Sequence, residues 1–132
     1  MYSREELINF ETLAEGVHGG YGKHEYLIIN SQSIFDDIWA STFKFKTPPP
    51  KPEINFTKNT IIAVFYGWFI TGGFTIQVIK IRERSSQYTV YVEETYPGPG
   101  SVVTMASTNP YHIVVIEKLT KNVNFLTSHV EH

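Results

Sequence analysis

Histidine is the residue type in this sequence best suited to hold a metal ion or to move a proton. His18, His24 and His112 are spread along the chain, and none of them belongs to an H-x-H, HExxH or similar ligand spacing. His24 and His112 fall on predicted strands, where a hydrogen-bonded structural histidine is the favoured interpretation. His129 and His132 carry little weight as candidates, because the HVEH ending could be partly vector-derived. The spacing therefore predicts no metal ligand.

Two pairs of adjacent carboxylates are the next candidates, for acid and base chemistry. Glu93 and Glu94 lie on a predicted strand, so their side chains point to opposite faces of the sheet and cannot work as a pair. Asp36 and Asp37 lie on a predicted helix, where neighbouring residues diverge by about 100 degrees. Ser101 stands outside any GxSxG nucleophile motif. We therefore expect a protein that is not an enzyme, with no catalytic residues and no cofactor.

Two glycine-rich segments were candidates for binding phosphate. GWFITGGFT at residues 67–75 is not a phosphate-binding loop, because no Lys and hydroxyl pair follows its glycines and a strand rather than a helix comes next. GGYG at residues 19–22 fails the dinucleotide test for the same reason. We interpret residues 67–75 as a hairpin bend, in which Gly72 and Gly73 permit positive φ angles.

The composition excludes several classes of protein. The chain has 132 residues, 11 basic and 13 acidic side chains and a net charge of −2, so we expect no nucleic-acid partner. It has no cysteine, which excludes disulfides and thiol chemistry. No stretch approaches the roughly 20 apolar residues of a membrane span. We expect a single domain over residues 1–132, cytoplasmic as the chain stands, and secreted or envelope-associated if an N-terminal leader has been removed.

The segment SQSIFDDIWASTF has the helical period, which predicts an amphipathic helix. Its apolar face carries Ile34, Phe35, Ile38, Trp39 and Phe43. Ser33 is the expected N-cap, with Asp36 three residues later as its capping-box partner. The prolines that follow cannot continue a helix, so residues 46–56 are predicted to be an extended connector. Recognition of Pro49 to Pro52 by a partner is the alternative.

Strand patterns occupy most of the remaining sequence. The predicted strands are Ile8 to Leu13, His24 to Asn30, Ile61 to Tyr66, Phe74 to Arg84, Tyr88 to Thr95, Val102 to Met105, Tyr111 to Lys118 and Val123 to Ser128. Residues 61–66 are apolar on both faces, as expected of a central strand. Within residues 74–84 the apolar residues change face, which predicts a distortion near Val78. The fold class is α+β: a predominantly antiparallel sheet, as a meander, a sandwich or a barrel-like arrangement, with one amphipathic helix packed on it.

Strand direction places the loops. If the four strands between residues 61 and 118 are successive and antiparallel, the bend at 67–75 and the connection at 96–110 lie at one end, and the polar turn at 82–87 lies at the other. Loops held by a rigid sheet commonly carry recognition. Trp68, Phe69, Tyr96 and Tyr111 would supply large apolar anchors at the first end. The alternative that Trp68 and Tyr111 only cap the core stays open.

Several motifs also occur in a distinctive order. They are a helix with a buried Trp, a Phe before an apolar strand, a G…TGG-aromatic hairpin, a PGPG loop, and T-x-P-Y before a strand. The positions are Trp39, Phe56, Gly67, Thr71, Gly72, Gly73, Phe74, Pro97 to Gly100, Thr108, Pro110 and Tyr111. On these motifs, residues 24–118 resemble the C-terminal domain of the PrcB-type protease-complex subunits. The resemblance implies association with a protease complex. In such a complex the subunit would support or stabilise the protease and would not cleave anything itself.

We therefore expect a non-catalytic protein-binding module whose partner is a protein and, by resemblance, a protease. The expected contact residues are Trp68, Phe69, Thr71, Gly72, Gly73, Tyr96, Pro97, Pro99, Thr108, Pro110 and Tyr111. One alternative is a protease inhibitor that inserts the loops at residues 67–73 and 96–100 into a cleft. Another is a small-molecule binder or enzyme with a pocket between helix and sheet, which requires an open polar cavity near His112 or Tyr26. The oligomeric state is not predicted.

Overall fold

The computed structural model describes residues 6–132, in which eight strands and one helix form. In chain order the elements are β1 (Glu6–Leu7), β2 (Glu11–Gly16), β3 (His24–Ile29), α1 (Gln32–Thr42), β4 (Asn59–Tyr66), β5 (Thr75–Glu83), β6 (Gln87–Tyr96), β7 (Tyr111–Glu117) and β8 (Asn122–Glu131). Residues 47–55 form neither helix nor strand, as predicted for the proline-rich connector. The α+β class is confirmed.

The strands form two four-stranded sheets that pack face to face. The first sheet has the order β1-β5-β6-β8, with β8 parallel to β6, and the second has the order β2-β7-β4-β3, with antiparallel pairs throughout. The arrangement is an open sandwich and does not close into a barrel. The predicted pairing of successive strands is wrong for β4 with β5 and for β6 with β7, because β4 and β7 pair with each other in the second sheet and β5 and β6 lie in the first.

The reason is visible in β4, which is buried on both faces. Ile62, Val64 and Tyr66 point into the core between the two sheets, whereas Ile61, Ala63 and Phe65 point into the core between the second sheet and α1. A strand with two apolar faces is stable at the centre of a sheet that is covered on both sides. β5 buries one face, mainly through Ile76, Val78 and Ile81, and therefore lies in the sheet that has no helix over it.

The helix is confirmed, but its start and one of its buried residues were predicted wrongly. Ser31, not Ser33, is the N-cap: it has an extended backbone and its hydroxyl accepts a hydrogen bond from the Ile34 amide at 3.3 Å. Ile34 is 51% exposed. The buried stripe is Phe35, Ile38, Trp39 and Thr42, which follows the i, i+3, i+4, i+7 spacing of one helical face. Over residues 6–132, no helix is long and apolar enough to cross a membrane.

Asp36 has a different partner from the one predicted. Its carboxylate accepts hydrogen bonds from Lys51 Nζ at 2.5 Å and from Gln32 Nε2 at 2.8 Å. The Lys51 hydrogen bond, followed by that of Gln32, lowers the pKa of Asp36. This residue therefore joins the helix to the proline-rich connector and does not form a capping box with Ser33.

Three strand predictions needed correction. The strand predicted at residues 8–13 starts later, at Glu11, because residues 8–10 carry the chain from β1 in the first sheet to β2 in the second. Residues 102–105 form no strand. The last strand is longer than predicted, because the whole of Asn122–Glu131 pairs with β6. That pairing supplies backbone hydrogen bonds that no local residue pattern signals.

The distortion predicted near Val78 is confirmed. The pairing of β5 with β6 shifts register between Val78 and Lys80. Val78 and Ile81 are buried in the core, and Ile79 between them is 45% exposed. The extra residue of the bulge thus lets the strand keep an apolar residue facing the core on both sides of the irregularity.

Candidate functional site

The loop end of the sandwich, defined here as residues 67–74 and 97–110, is held together by hydrogen bonds between its two segments. Phe69 and Thr108 exchange two backbone hydrogen bonds of 2.9 Å, and the Gly72 amide donates to Thr104 O at 2.9 Å. The Thr108 hydroxyl also donates to Thr71 O at 2.8 Å. The two segments therefore meet although β4 and β5 lie in different sheets, because β4 ends and β5 begins on the same side of the sandwich.

The two glycines of the bend have different roles, and one of them differs from the prediction. Gly73 has a φ of +96°, in the region that only glycine adopts at low cost. Gly72 does not have a positive φ. A Cβ placed on Gly72 would lie 2.4 Å from the Thr104 hydroxyl oxygen, so an alanine here would require the Thr104 side chain to rotate away. With glycine, the two segments approach each other without that adjustment.

The predicted contact residues differ widely in exposure. Trp68, Tyr96 and Pro99 are exposed, Phe69, Thr71, Gly73 and Pro97 are half-buried, and Gly72, Thr108, Pro110 and Tyr111 are buried. The buried residues lie beneath the surface that a partner would touch. Tyr111 packs edge-on against Phe43, with ring centroids 5.8 Å apart, and burial raises the pKa of its hydroxyl. It belongs to the core under α1.

Several exposed apolar residues of the loop end were absent from the predicted set. Ile70 is 82% exposed, Val102 is 100% exposed and Met105 is 83% exposed. Phe45, just after α1, is also exposed, and its ring lies 6.1 Å from that of Trp68. The exposure of Val102 and Met105 was not expected from the sequence. A strand was predicted at residues 102–105, and alternate residues of a strand face the core. We call Phe45, Trp68, Ile70, Val102 and Met105 the apolar surface of the loop end.

A second candidate site surrounds Glu94, near the end of β6. Along β6 the side chains of Tyr88, Val90 and Val92 enter the core between the sheets, and Glu94 occupies the next position of this stripe with a side chain that is 0% exposed. Its Oε2 atom accepts a hydrogen bond from the Tyr26 hydroxyl and lies 2.6 Å from His24 Nε2. A carboxylate in this position is unexpected from the sequence pattern, which continues the apolar alternation up to Val92.

The other carboxylate oxygen of Glu94 has a looser environment. His129 Nε2 on β8 lies 2.9 Å from Oε1, close enough for an ion pair. Within residues 6–132, however, Oε1 has no partner with hydrogen-bond geometry. His129 carries little weight as a candidate from the sequence alone. Only the parallel pairing of β8 with β6, which places His129 opposite Glu94, brings the two residues together.

A cavity of about 350 Å³ opens at this cluster. Its lining residues are His24, Glu25, Tyr26, Glu94, Thr127 and His129. The cavity is near Tyr26, as the small-molecule hypothesis required, but it lies between β3 of the second sheet and β6 and β8 of the first. The predicted position between helix and sheet is therefore wrong.

The tyrosines near this cavity retain their protons well above neutral pH. Burial, and then the hydrogen bond to Glu94, raises the pKa of Tyr26. Burial and the nearby charge of Glu94 raise the pKa of Tyr66 in the same way. Tyr26 is consequently a permanent hydrogen-bond donor to the carboxylate, and the site offers no phenolate for chemistry at physiological pH.

His112 lies in the core and serves the fold. Its Nδ1 accepts a hydrogen bond from the Val78 amide at 2.9 Å, so Nε2 carries the proton and donates to the Thr12 hydroxyl at 2.8 Å. Burial lowers the pKa of His112, an effect that the Glu15 carboxylate partly opposes. His112 thus bonds β5 to β2, whereas His24 bonds Glu94, so these two histidines belong to separate hydrogen-bonded clusters. In the described part of the chain, no three His, Asp or Glu side chains form a group that could hold a metal ion.

Comparison with known proteins gives one family. Residues 60–117 match the family model described as PrcB C-terminal. No curated protein and no solved structure matches the chain. The matched span runs from β4 to β7 and includes the whole loop end and Glu94, whereas α1, β3 and β8 lie outside it. The match supports a PrcB C-terminal-like domain over residues 60–117.

Proposed function

We propose that this chain is a non-catalytic protein-binding module that supports or stabilises a partner protease. The observation that carries the proposal is the apolar surface of the loop end, which lies largely within the span that matches the PrcB C-terminal family. Subunits of the type that this domain resembles are associated with a protease complex. The proposal assigns the contact to the part of the domain that the family model covers.

The chemistry of the surface favours a protein partner. Trp68, Ile70, Val102 and Met105 leave between about half and all of their side-chain surface in water. Exposed apolar residues that occur together, unlike scattered ones, are typical of sites that bind proteins. Aromatic residues in particular are enriched among those that contribute most to binding. Phe45 enlarges the surface beyond the matched span, through its contact with Trp68.

The frame beneath this surface favours binding without large rearrangement. Phe69 stacks on Phe74 with ring centroids 3.7 Å apart, and its backbone is bonded to that of Thr108. Loops that are fixed before binding lose little conformational entropy when the partner arrives. A stabilising subunit would use such a surface to cover an apolar region of the protease and slow its unfolding or autolysis.

Inhibition is the alternative within the same class. Two bonded loops that project from one end of a rigid sandwich could also enter a protease cleft, with residues 67–73 and 96–100 as the inserted segments. The two roles have opposite effects on catalysis: an inhibitor lowers the initial rate of peptide cleavage, whereas a stabiliser leaves that rate unchanged and prolongs activity. The cavity at Glu94 favours a small-molecule ligand as a separate function.

The test compares loop-end variants with a matched surface variant. Trp68→Ala and Ile70→Ala remove apolar contacts from the loop end, and Ile34→Ala removes a similarly exposed apolar side chain from α1. A pull-down from the native organism should recover a protease with the wild type and Ile34→Ala, and much less of it with the other two variants. Equal recovery by all four proteins would refute the proposed surface.

The recovered protease then decides between the two roles. Its initial rate and its activity after prolonged incubation are measured with increasing amounts of the wild-type chain. Unchanged initial rate with slower loss of activity supports the stabiliser, and a falling initial rate supports the inhibitor. If the loops act by entering the protease cleft, Trp68→Ala should also restore the initial rate.

A further inference from the structure

Glu94 is placed where a charge is costly. It continues an inward-facing stripe of apolar residues on β6, and its side chain is 0% exposed. A buried carboxylate is tolerated when hydrogen bonds and opposite charge compensate for the lost water. Here the Tyr26 hydroxyl and His24 serve Oε2, but Oε1 has no hydrogen bond among residues 6–132. One half of the carboxylate is thus left for another donor.

The imidazole nearest to Oε1 can move aside without losing a hydrogen bond to it. His129 lies 2.9 Å from this atom without hydrogen-bond geometry, and 62% of its side chain is exposed to solvent. His24, on the other side, is 56% exposed. Rotation of His129 into solvent would open a path from the cavity to Oε1.

The cavity has the charge and the wall chemistry for a positive group. Its lining contains two carboxylates, Glu25 and Glu94, and in the described chain it contains no lysine or arginine. The Tyr26 ring provides an aromatic wall, which attracts cations. The volume of about 350 Å³ falls in the range of small-ligand pockets.

We propose that this cavity binds an organic cation, an ammonium or guanidinium group, which displaces His129 and donates a hydrogen bond to Glu94 Oε1. A charged donor on a buried carboxylate forms a short, strong hydrogen bond. The geometry favours an organic cation over a metal ion, because the two imidazoles contact different oxygens of the carboxylate and the described residues form no metal-ligating group. The inference is independent of the loop-end proposal.

The cation could come from a free amine or from a basic side chain of a peptide. The experiment therefore titrates the ¹⁵N-labelled chain at pH 8 with n-butylammonium chloride and, separately, with Nα-acetyl-lysine N-methylamide. n-Butanol and Nα-acetylnorleucine N-methylamide are the uncharged controls. Tighter binding of the lysine derivative identifies a peptide side chain as the source, and equal binding identifies the amine alone.

We expect the charged probes to produce saturable shifts of the His24, Glu94 and Thr127 amides, and the uncharged controls to produce none. Glu94→Gln should weaken binding at least about tenfold, because it removes a charged hydrogen-bond acceptor. His129→Ala should strengthen binding several-fold, because the cation no longer displaces an imidazole. This second variant decides the matter if circular dichroism shows that Glu94→Gln does not fold.

Three results would overturn the proposal. Equal shifts with charged and uncharged probes would show that the cavity does not select for charge. Binding to His129→Ala that is no tighter than to the wild type would show that this imidazole does not guard Oε1. Saturable Zn²⁺ binding at the same amides that abolishes the response to butylammonium would assign the cavity to a metal ion.

Discussion

Substitution of Gly73 by alanine should weaken the joint between the two segments of the loop end. Gly73 has a φ of +96°, and a Cβ at this position would lie 3.0 Å from Pro97 Cβ and 3.1 Å from Val103 Cγ1. The left-handed backbone costs an alanine about 1–2 kcal/mol. Overpacking against neighbours that must shift costs typically a further 1–3 kcal/mol. The two costs together are about 2–5 kcal/mol, and restriction of the unfolded chain offsets part of them, so we expect Gly73→Ala to lower the free energy of unfolding by about 2–4 kcal/mol.

Gly100 provides a matched control. Its φ is +80°, similar to that of Gly73, but a Cβ there would meet nothing within 4 Å. Gly100→Ala therefore carries the backbone cost without the contacts. Both substitutions also restrict the unfolded chain, which offsets part of the loss by about 0.4–1 kcal/mol in each variant. The difference between the two variants, about 1–3 kcal/mol, isolates the contact with Pro97 and Val103.

Urea unfolding followed by tryptophan fluorescence measures this difference. Hydrogen exchange of the Phe69 and Thr108 amides, which bond the two segments, shows whether the loss is local to the joint. Gly73→Ala should accelerate exchange at both amides, and Gly100→Ala should not. Equal unfolding free energies for the two variants would refute the argument that close packing at Gly73 holds the loop end together.

Three other substitutions, one of them compared with a surface control, test the core and the cavity. Phe35→Ala should lower the free energy of unfolding by about 3–5 kcal/mol, because the Phe35 side chain is fully buried. Its control, Ile34→Ala on the exposed face of α1, should change that free energy by less than about 0.5 kcal/mol in the same urea experiment. Tyr26→Phe should lower the free energy of unfolding by about 1–3 kcal/mol at neutral pH. Because the pKa of Tyr26 is raised in the folded state, the wild type should also lose stability as the pH rises above about 10. The variant should lose less stability over the same pH range. His112 has a lowered pKa in the folded state, so its contribution to stability is present above about pH 6.5 and declines as the pH falls below that value. The free energy of unfolding of His112→Gln should accordingly depend less on pH between 5 and 7 than that of the wild type, and equal slopes would contradict the buried, neutral state of this histidine.

Local periodicity was enough to identify some elements and not others. The helical stripe of α1 and the two apolar faces of β4 are properties of consecutive residues, so the sequence predicts them directly. The bulge after Val78 was predictable for the same reason, because the change of apolar face occurs within one strand. The pairing of β4 with β7 joins residues about 50 positions apart, and no local pattern distinguishes it from pairing with β5. Most strands between residues 24 and 118 were therefore predictable, apart from the one expected at residues 102–105, and strand order was not.

The same distinction explains why the site at Glu94 was missed. Its partners come from β3 and β8, which reach β6 only through inter-sheet packing and parallel pairing. A glutamate at the end of an alternating strand is consistent with a solvent-exposed rim. Only the tertiary structure shows that Tyr26, His24 and His129 surround the Glu94 carboxylate. The position of the loop end, in contrast, could be predicted from the direction of the strands alone. That direction was correct even though the predicted pairing was not.

The two candidate sites are close along the chain, but they differ in how much of each lies within the span that matches the PrcB C-terminal family model. The matched span at residues 60–117 contains the loop end, so a surface used for a common function of the family would be expected there. Glu94 also lies in that span, but His24, Tyr26 and His129 do not. A cavity whose walls come mostly from outside the matched span can differ among proteins that share the domain, even when the loop end is used alike. Loss of partner binding with intact cation binding, and the reverse, are therefore both physically possible outcomes for single substitutions at the two sites.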